Sequence, residues 1–254
     1  MRFPQEIIDA IIDYVGADCA EDFIVGRPFQ SINEDERTEL KSLALVSRAC
    51  NHRARSHLFA RCNVVNSDFG TFERFRQCPG AILKYTRALI IRRSENPISI
   101  LSRFTSSPLV SIRFHLMQIP EELPKLLKSL FPNVRRVAVV ASTLSAVAVL
   151  NLIGILEHMS ELRLERCHCI DLGGDDSLPT LPPLQGRLIL YEPRSPHFAI
   201  TSLLSRIPLP LRSLCYKQIG LPSENRFIDS CAGSLENLEL GIVASLGKPF
   251  VSIA

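Results

Sequence analysis

The sequence contains no tryptophan in 254 residues, no CxxC pair among its eight cysteines and no Asn-x-Ser/Thr sequon. It also lacks any apolar run of about 18 residues, so no spanning helix is expected. The N-terminus is acidic and amphipathic rather than basic and then apolar, which argues against a secretory leader. Without a leader, eight scattered cysteines read as free, mostly buried thiols in a cytoplasmic or nuclear protein. No P-loop, G-x-G-x-x-G, G-x-S-x-G or H-E-x-x-H pattern occurs. Cys167-His168-Cys169 comes nearest to a metal cluster. Zinc sites use paired ligands two to four residues apart, and neighbours on a strand point to opposite faces. These cysteines therefore read as thiols at the end of a strand. Gly173-Gly174-Asp175-Asp176 reads as a tight turn. No enzyme activity, cofactor or metal is expected.

Hydrophobic residues make up 46% of the chain, enough for a sizeable core. The formal charge is only +3, but it is unevenly spread. Residues 16–39 carry seven acidic and two basic side chains, which leaves the rest of the chain at +8. That acidic stretch reads as a solvated insertion between helices.

The N-terminal stretch reads as a helix. Pro4 suits a helix start and Glu6 its positive end. Ile7, Ile8, Ile11, Ile12 and Val15 form one wide apolar stripe. Such a stripe needs a partner, within the chain or outside it.

Further along, hydrophobic-x-x-hydrophobic-x-hydrophobic recurs seven times, starting at Thr86, Leu109, Val134, Met159, Gln185, Leu211 and Leu235. The spacings are 23, 25, 25, 26, 26 and 24, with the first and fifth units degenerate at their leading position. Alternation makes each L-x-L piece a short strand with one buried face, and stacked units would pool those faces into one core. The spacing predicts seven parallel strands in sequence order. Helices are expected over Leu123–Leu130, over Leu144–Ile155, after Asn96-Pro97 and after Ser195-Pro196, with a short one around Phe69, Phe72 and Phe75. Asp171–Pro183 reads as an irregular loop. The period places an eighth strand at about residue 260. Either the tail from Ala244 to Ala254 is expected to cap the last unit or the chain is a fragment.

Two families are resembled. Phe3-Pro4-Gln5-Glu6-Ile7-Ile8, then Leu45-Val46-Ser47-Arg48-Ala49-Cys50, then His52–Phe59 and the strand Asn63-Val64-Val65 resemble an F-box. Phe3 replaces the usual leucine, Cys50 replaces a tryptophan, and the first loop is long. The period and L-x-x-L-x-L core are similar to leucine-rich repeats. The expected fold is α/β. A three-helix F-box-like module spans 1–65, with its acidic insertion at 16–39. A curved solenoid of about seven repeats, parallel strands plus convex helices, spans 66–254.

This pairing resembles the substrate receptor of an SCF-type cullin–RING ubiquitin ligase. The resemblance implies an adaptor face at Phe3, Pro4, Ile7, Ile8, Ile11, Leu43, Val46, Ser47 and Cys50, docking a Skp-type adaptor. It also implies that Cys50→Trp would restore the family anchor and preserve or strengthen that docking. An unknown protein substrate would lie on the polar face of the strands. Those residues are Arg92, Arg113, His115, Arg136, Glu161, Arg163, Glu165, Arg187, Tyr191, Lys217 and Glu239. Charges of both signs there favour a folded protein over nucleic acid, and no membrane partner is expected. The alternatives are a repeat scaffold without a ligase role or simply a solvated sheet face.

Overall fold

The computed structural model describes residues 4–21, 34–65, 82–171, 181–191, 200–217 and 222–241. They form an α/β structure with a mostly parallel eight-stranded sheet whose order follows the sequence. The chain divides into two compact units, Met1–Ile90 with Ser106–Leu109, and Ile91–Thr105 with Val110–Ala254.

In the first unit, α1 (Gln5–Glu21), α2 (Glu34–Val46) and α3 (Arg48–Leu58) precede β1 (Arg61–Val65), and the division between the units falls within β2 (Ala88–Arg92). Ser47 is extended and its hydroxyl accepts the Cys50 N–H at 3.1 Å, so it caps α3. Ile12, Leu40, Cys50 and Ala54 form a small buried core. Ile8, Val15, Leu43, Ala44 and Leu58 pack around it.

The second unit repeats a strand and a return segment. Its strands are β3 (Ser111–His115), β4 (Arg136–Val140), β6 (Glu161–Glu165), β8 (Leu184–Tyr191), β9 (Leu211–Lys217) and β10 (Asn237–Gly241). All pair in parallel, and one register runs through them. Ile112, Val137, Leu162, Leu188, Leu214 and Leu238 stand side by side. So do Phe114, Val139, Leu164, Leu190, Tyr216 and Leu240. From Ile112 to Tyr216 these side chains are buried. Each fully buried one contributes about 1.5–3 kcal/mol, so a register slip would expose the whole ladder.

The return segments carry α4 (Pro97–Leu101), α5 (Leu123–Leu130), α6 (Ala146–Gly154), α7 (Ile200–Leu204) and α8 (Pro222–Cys231). Asn96 caps α4 through the Ser99 N–H, as its position before Pro97 predicts. Leu144 lies on a strand instead of the helix its spacing predicts, because Ser145 caps α6 and starts it at Ala146. That strand, β5 (Thr143–Ser145), pairs in parallel with β7 (His168–Asp171) in a second small sheet. Cys167 and Cys169 therefore lie beyond the main strand β6, in the turn and on β7. Both are buried while His168 is exposed. The expected Phe69–Phe75 helix, the Ser195-Pro196 helix start, most of the Asp171–Pro183 loop and the tail beyond Gly241 lie outside the described residues.

The degenerate fifth unit has a structural cause. Its leading buried residue is Leu184, one position earlier than the pattern places it, while Gln185 is exposed. The register against β9 shifts between Leu184 and Arg187, so the extra residue is absorbed at Gln185-Gly186.

Each of four strands ends in a left-handed residue: Arg93 (φ 49°), Leu116 (56°), Ala141 (48°) and Arg166 (52°). Their amides donate to His115 O, Val140 O, Glu165 O and Tyr191 O on the next strand at 3.0, 3.0, 2.7 and 2.6 Å. A side chain in this conformation costs about 1–2 kcal/mol, which the repeated hydrogen bond offsets. Ala141→Gly is therefore expected to hold or raise stability by up to about 1 kcal/mol. Ala148→Gly, inside α6, should lower it by about 1 kcal/mol or more. Denaturant midpoints of the two variants check this; a clear loss in Ala141→Gly would contradict it.

Candidate functional site

Two surfaces gather the residues selected from sequence, one in each unit. In the first, the stripe on α1 splits. Ile8, Ile12 and Val15 turn inward to the helical core. Ile7, Ile11 and Tyr14, spaced i, i+4 and i+7, are 46%, 51% and 83% exposed. At the end of α2, Leu45 and Val46 are 86% and 71% exposed. Together these side chains leave apolar surface exposed on two packed helices.

The residues of the expected adaptor face thus separate. Pro4, Ile7, Ile11, Val46 and Ser47 are exposed. Ile8 and Leu43 pack on the core, and Cys50 is buried within it. Phe3 lies outside the described residues. Tyr14 lies outside the motif, and Leu45 opens its second stretch but was not among the adaptor-face residues; the i+7 spacing from Ile7 was the available signal for Tyr14. The buried position of Cys50 sets a packing demand on Cys50→Trp. Its thiol accepts the Ser47 hydroxyl at 3.1 Å between Ile12, Leu40 and Ala54. An indole would overfill this core instead of supplying an anchor.

Polar contacts orient α1 against α3. Asp13 accepts from Arg53 through both carboxylate oxygens and lies 2.9 Å from His57 Nε2. Gly16 makes room for the His57 ring, which a Cβ there would overlap. The hydrogen bonds from Arg53 and then His57 hold the Asp13 carboxyl well below its usual range. A group lowered on folding stabilises the fold above its unfolded pKa, about 3.9, and loses that contribution as pH falls below it. The stability advantage of the wild type over Asp13→Asn is therefore expected in full at pH 6 and diminished at pH 3. Thermal unfolding of both chains at the two pH values reads this; an unchanged difference would contradict it.

In the second unit, the outward face of the sheet carries charges that are half buried. Arg113 and Arg163 share Glu165, at 3.8 and 3.4 Å, with side chains only 17%, 13% and 17% exposed. Burial lowers the pKa of Arg113, Glu165 opposes that shift, and Arg163 and Arg92 add to it. Burial, Arg92 and Arg113 likewise lower His115 and favour its neutral form. Arg187 pairs with Glu239 on β10, and the Arg166 guanidinium lies 5.7 Å from the Tyr191 ring centroid. Arg136 and Glu161 stand beside each other in register. Lys217 ends β9, and nothing is described of its side chain.

The face is less polar than the selected residues imply. Ala138 stands between Arg113 and Arg163, Val140 between His115 and Glu165, and Ile189 next to Arg163. All three are buried. Long charged side chains can cover such short apolar neighbours with their stems.

Elsewhere, burial pushes the Cys62 and Cys231 thiols up to about 11, which keeps them protonated at neutral pH. Cys50, Cys62, Cys167, Cys169, Cys215 and Cys231 form no disulfide. Among the described residues, no three His, Cys, Asp or Glu side chains are grouped to hold a metal ion. No described helix is long and apolar enough to cross a membrane. A groove of about 290 Å³ lined by Lys128, Phe131, Pro132, Val134, Ile155, His158 and Met159 contains none of the selected residues.

Comparison with protein-family models gives no match, and comparison with curated proteins gives none.

Proposed function

We propose that this chain is the substrate-receptor subunit of an SCF-type cullin–RING ubiquitin ligase. Its N-terminal helices act as an F-box that docks a Skp-type adaptor. Its strand units act as a leucine-rich-repeat solenoid that holds a protein substrate. The observation that carries the reading is the exposed apolar set Ile7, Ile11, Tyr14, Leu45 and Val46 on two packed helices. Burying such a set on a partner releases roughly 25 cal/mol per Å² of apolar surface. The single register of the parallel strands supports the solenoid half. The receptor itself performs no chemistry. It raises the effective concentration of a substrate lysine beside a conjugating enzyme held elsewhere in the ligase.

A second reading is a repeat scaffold without ligase role, favoured by Cys50 where the resembled family has a tryptophan. Co-purification with the Skp adaptor of the source organism separates the two. Stoichiometric capture through a cullin-bound adaptor is the expected result. A folded chain that leaves the adaptor in the flow-through supports the scaffold.

A further inference from the structure

Within the second unit, two neighbouring return segments reach the sheet by different routes. Val134 and Met159 open consecutive units. The chain comes to Val134 from α5 through Phe131 and Pro132. It comes to Met159 from α6 through the 3-10 turn Ile155–Glu157 and His158. The groove of about 290 Å³ is lined from both approaches. Phe131, Val134, Ile155 and Met159 contribute to it and are themselves buried, so each shows only an edge on a fixed, apolar floor. Pro132 lines it from an exposed position.

The remaining lining is basic. Lys128 and His158 both touch one oxygen of Glu157, at 3.9 and 3.2 Å, and Glu157 does not line the groove. A close ammonium–carboxylate hydrogen bond is about 2.7–2.9 Å long, so Lys128 keeps donors for another acceptor. The guanidinium of Arg135 lies 3.2 Å from His158 O, on the backbone of a lining residue. Two permanent cations, Lys128 and Arg135, thus stand at an apolar groove beside one carboxylate.

We propose that this groove takes one bulky apolar side chain of a partner peptide, with acidic residues two positions to either side meeting Lys128 and Arg135. The inference goes beyond the ligase reading and does not depend on it. Volume favours a single side chain over a free small molecule. Small-molecule pockets span about 300–1,000 Å³, and a cavity of about 150 Å³ already holds benzene. One aromatic ring therefore fits with room to enter. Spacing then places the charges. In an extended peptide alternate side chains point the same way and lie about 7 Å apart. Carboxylates two residues from the anchor fall on its side, at the rim. The apolar floor gives a nucleic-acid backbone nothing to bury.

The test uses the full chain and a fluorescent peptide, Gly-Glu-Ser-Phe-Ser-Glu-Gly, followed by polarization. One control peptide has alanine for phenylalanine and another has glutamine for both glutamates. The expected result is salt-sensitive binding of the first peptide, weakened roughly tenfold or more by loss of the phenylalanine anchor and several-fold by loss of the glutamates. Pro132→Glu places a carboxylate at the groove and should weaken binding by roughly tenfold or more. Lys128→Gln should weaken it several-fold. Glu157→Gln should tighten it several-fold, because a competitor for Lys128 is gone. Arg212→Gln, on β9 and paired with Glu236, should leave it unchanged.

Equal affinity for the phenylalanine and alanine peptides would overturn the proposal, as would equal affinity for the glutamate and glutamine peptides. So would wild-type affinity in a folded Pro132→Glu chain, or no binding at the highest soluble concentration of the chain. Benzoate displacing the peptide as effectively as unlabelled peptide does would mark a small-molecule site and overturn it too. If Pro132→Glu fails to fold, Glu157→Gln decides: tightening supports the proposal and no change overturns it. The adaptor is absent from this assay, so failure of adaptor docking and failure of peptide binding are read separately.

Discussion

Replacing Gly186 with alanine is expected to cost about 3 kcal/mol or more. Gly186 lies on β8, where an extra residue is fitted into the ladder against β9. A Cβ built there overlaps the carbonyl oxygen of Met159 and falls 2.7 Å from Leu156 Cδ2. The leucine could turn aside, but the carbonyl belongs to the backbone leading into β6. That backbone is fixed on its other side, since Ser160 N and Glu161 N both donate to Arg135 O. Relief therefore requires moving β8 away from its neighbour, and the hydrogen bond from Arg187 N to Ser160 O would be strained first. In a chain of this size each kcal/mol is worth about 2–4 °C in Tm, so a fall of roughly 6–12 °C is expected. Gly233→Ala provides the comparison, because a Cβ there meets nothing within 4 Å. A Gly186→Ala chain melting with the wild type would show that the bulge does not hold this close approach.

The strands were legible because burial on a sheet has a period of two and a long chain repeats it. Leu162 and Leu164 could be read as inward-facing, and their neighbours Leu188 and Leu190 as their parallel partners, from spacing alone. The pattern also continued past the strands, but its continuation was not used. Val134, Val137 and Val139 are followed at the same intervals by buried Ser142 and Leu144. Met159, Leu162 and Leu164 are followed by buried Cys167 and Cys169. The Cys167 thiol donates to Val139 O at 3.2 Å, and the Ser142 hydroxyl donates to Val140 O at 2.9 Å. Both close the turn leaving the sheet. The pair that looked like an incomplete metal site is thus a turn closure followed by a core residue.

The left-handed turns were not legible. Glycine or asparagine normally marks such a position, whereas here it holds arginine, leucine, alanine and arginine. The conformation comes from the interstrand hydrogen bond, a tertiary contact that local sequence does not encode. The bulge at Gly186 was visible only as a flaw in the fifth unit. On the sheet face, charge identified the polar residues, but Ala138 and Val140 were passed over because short apolar side chains there carry no signal in sequence.

On the helices, the sequence could not divide the isoleucine stripe, and that division sets the last expected result: Ile11→Asp and Leu45→Lys each abolish adaptor binding in a chain that still folds. Ile8 is unsuitable for this test, since it packs against Ile12, Leu40, Cys50 and Ala54 and a charge there would unfold the helices. Ile11 and Leu45 are 51% and 86% exposed, so their replacement should change stability by no more than about 0.5 kcal/mol. Lysine at the end of α2 also complements the negative helix terminus. On docking, each variant loses an apolar contact and must desolvate a charge, at a cost of several kcal/mol. Each 1.4 kcal/mol is about tenfold in Kd, so binding should weaken by a hundredfold or more. The two substitutions introduce opposite charges, and a shared loss therefore reflects the apolar surface instead of charge attraction or repulsion. Titration calorimetry with the adaptor, beside circular dichroism of each chain, reads binding and folding separately. If both variants bind as the wild type does, the exposed isoleucine and leucine are not the docking surface. If the folded wild type fails to bind even at high micromolar concentration, the receptor reading falls and the scaffold takes its place.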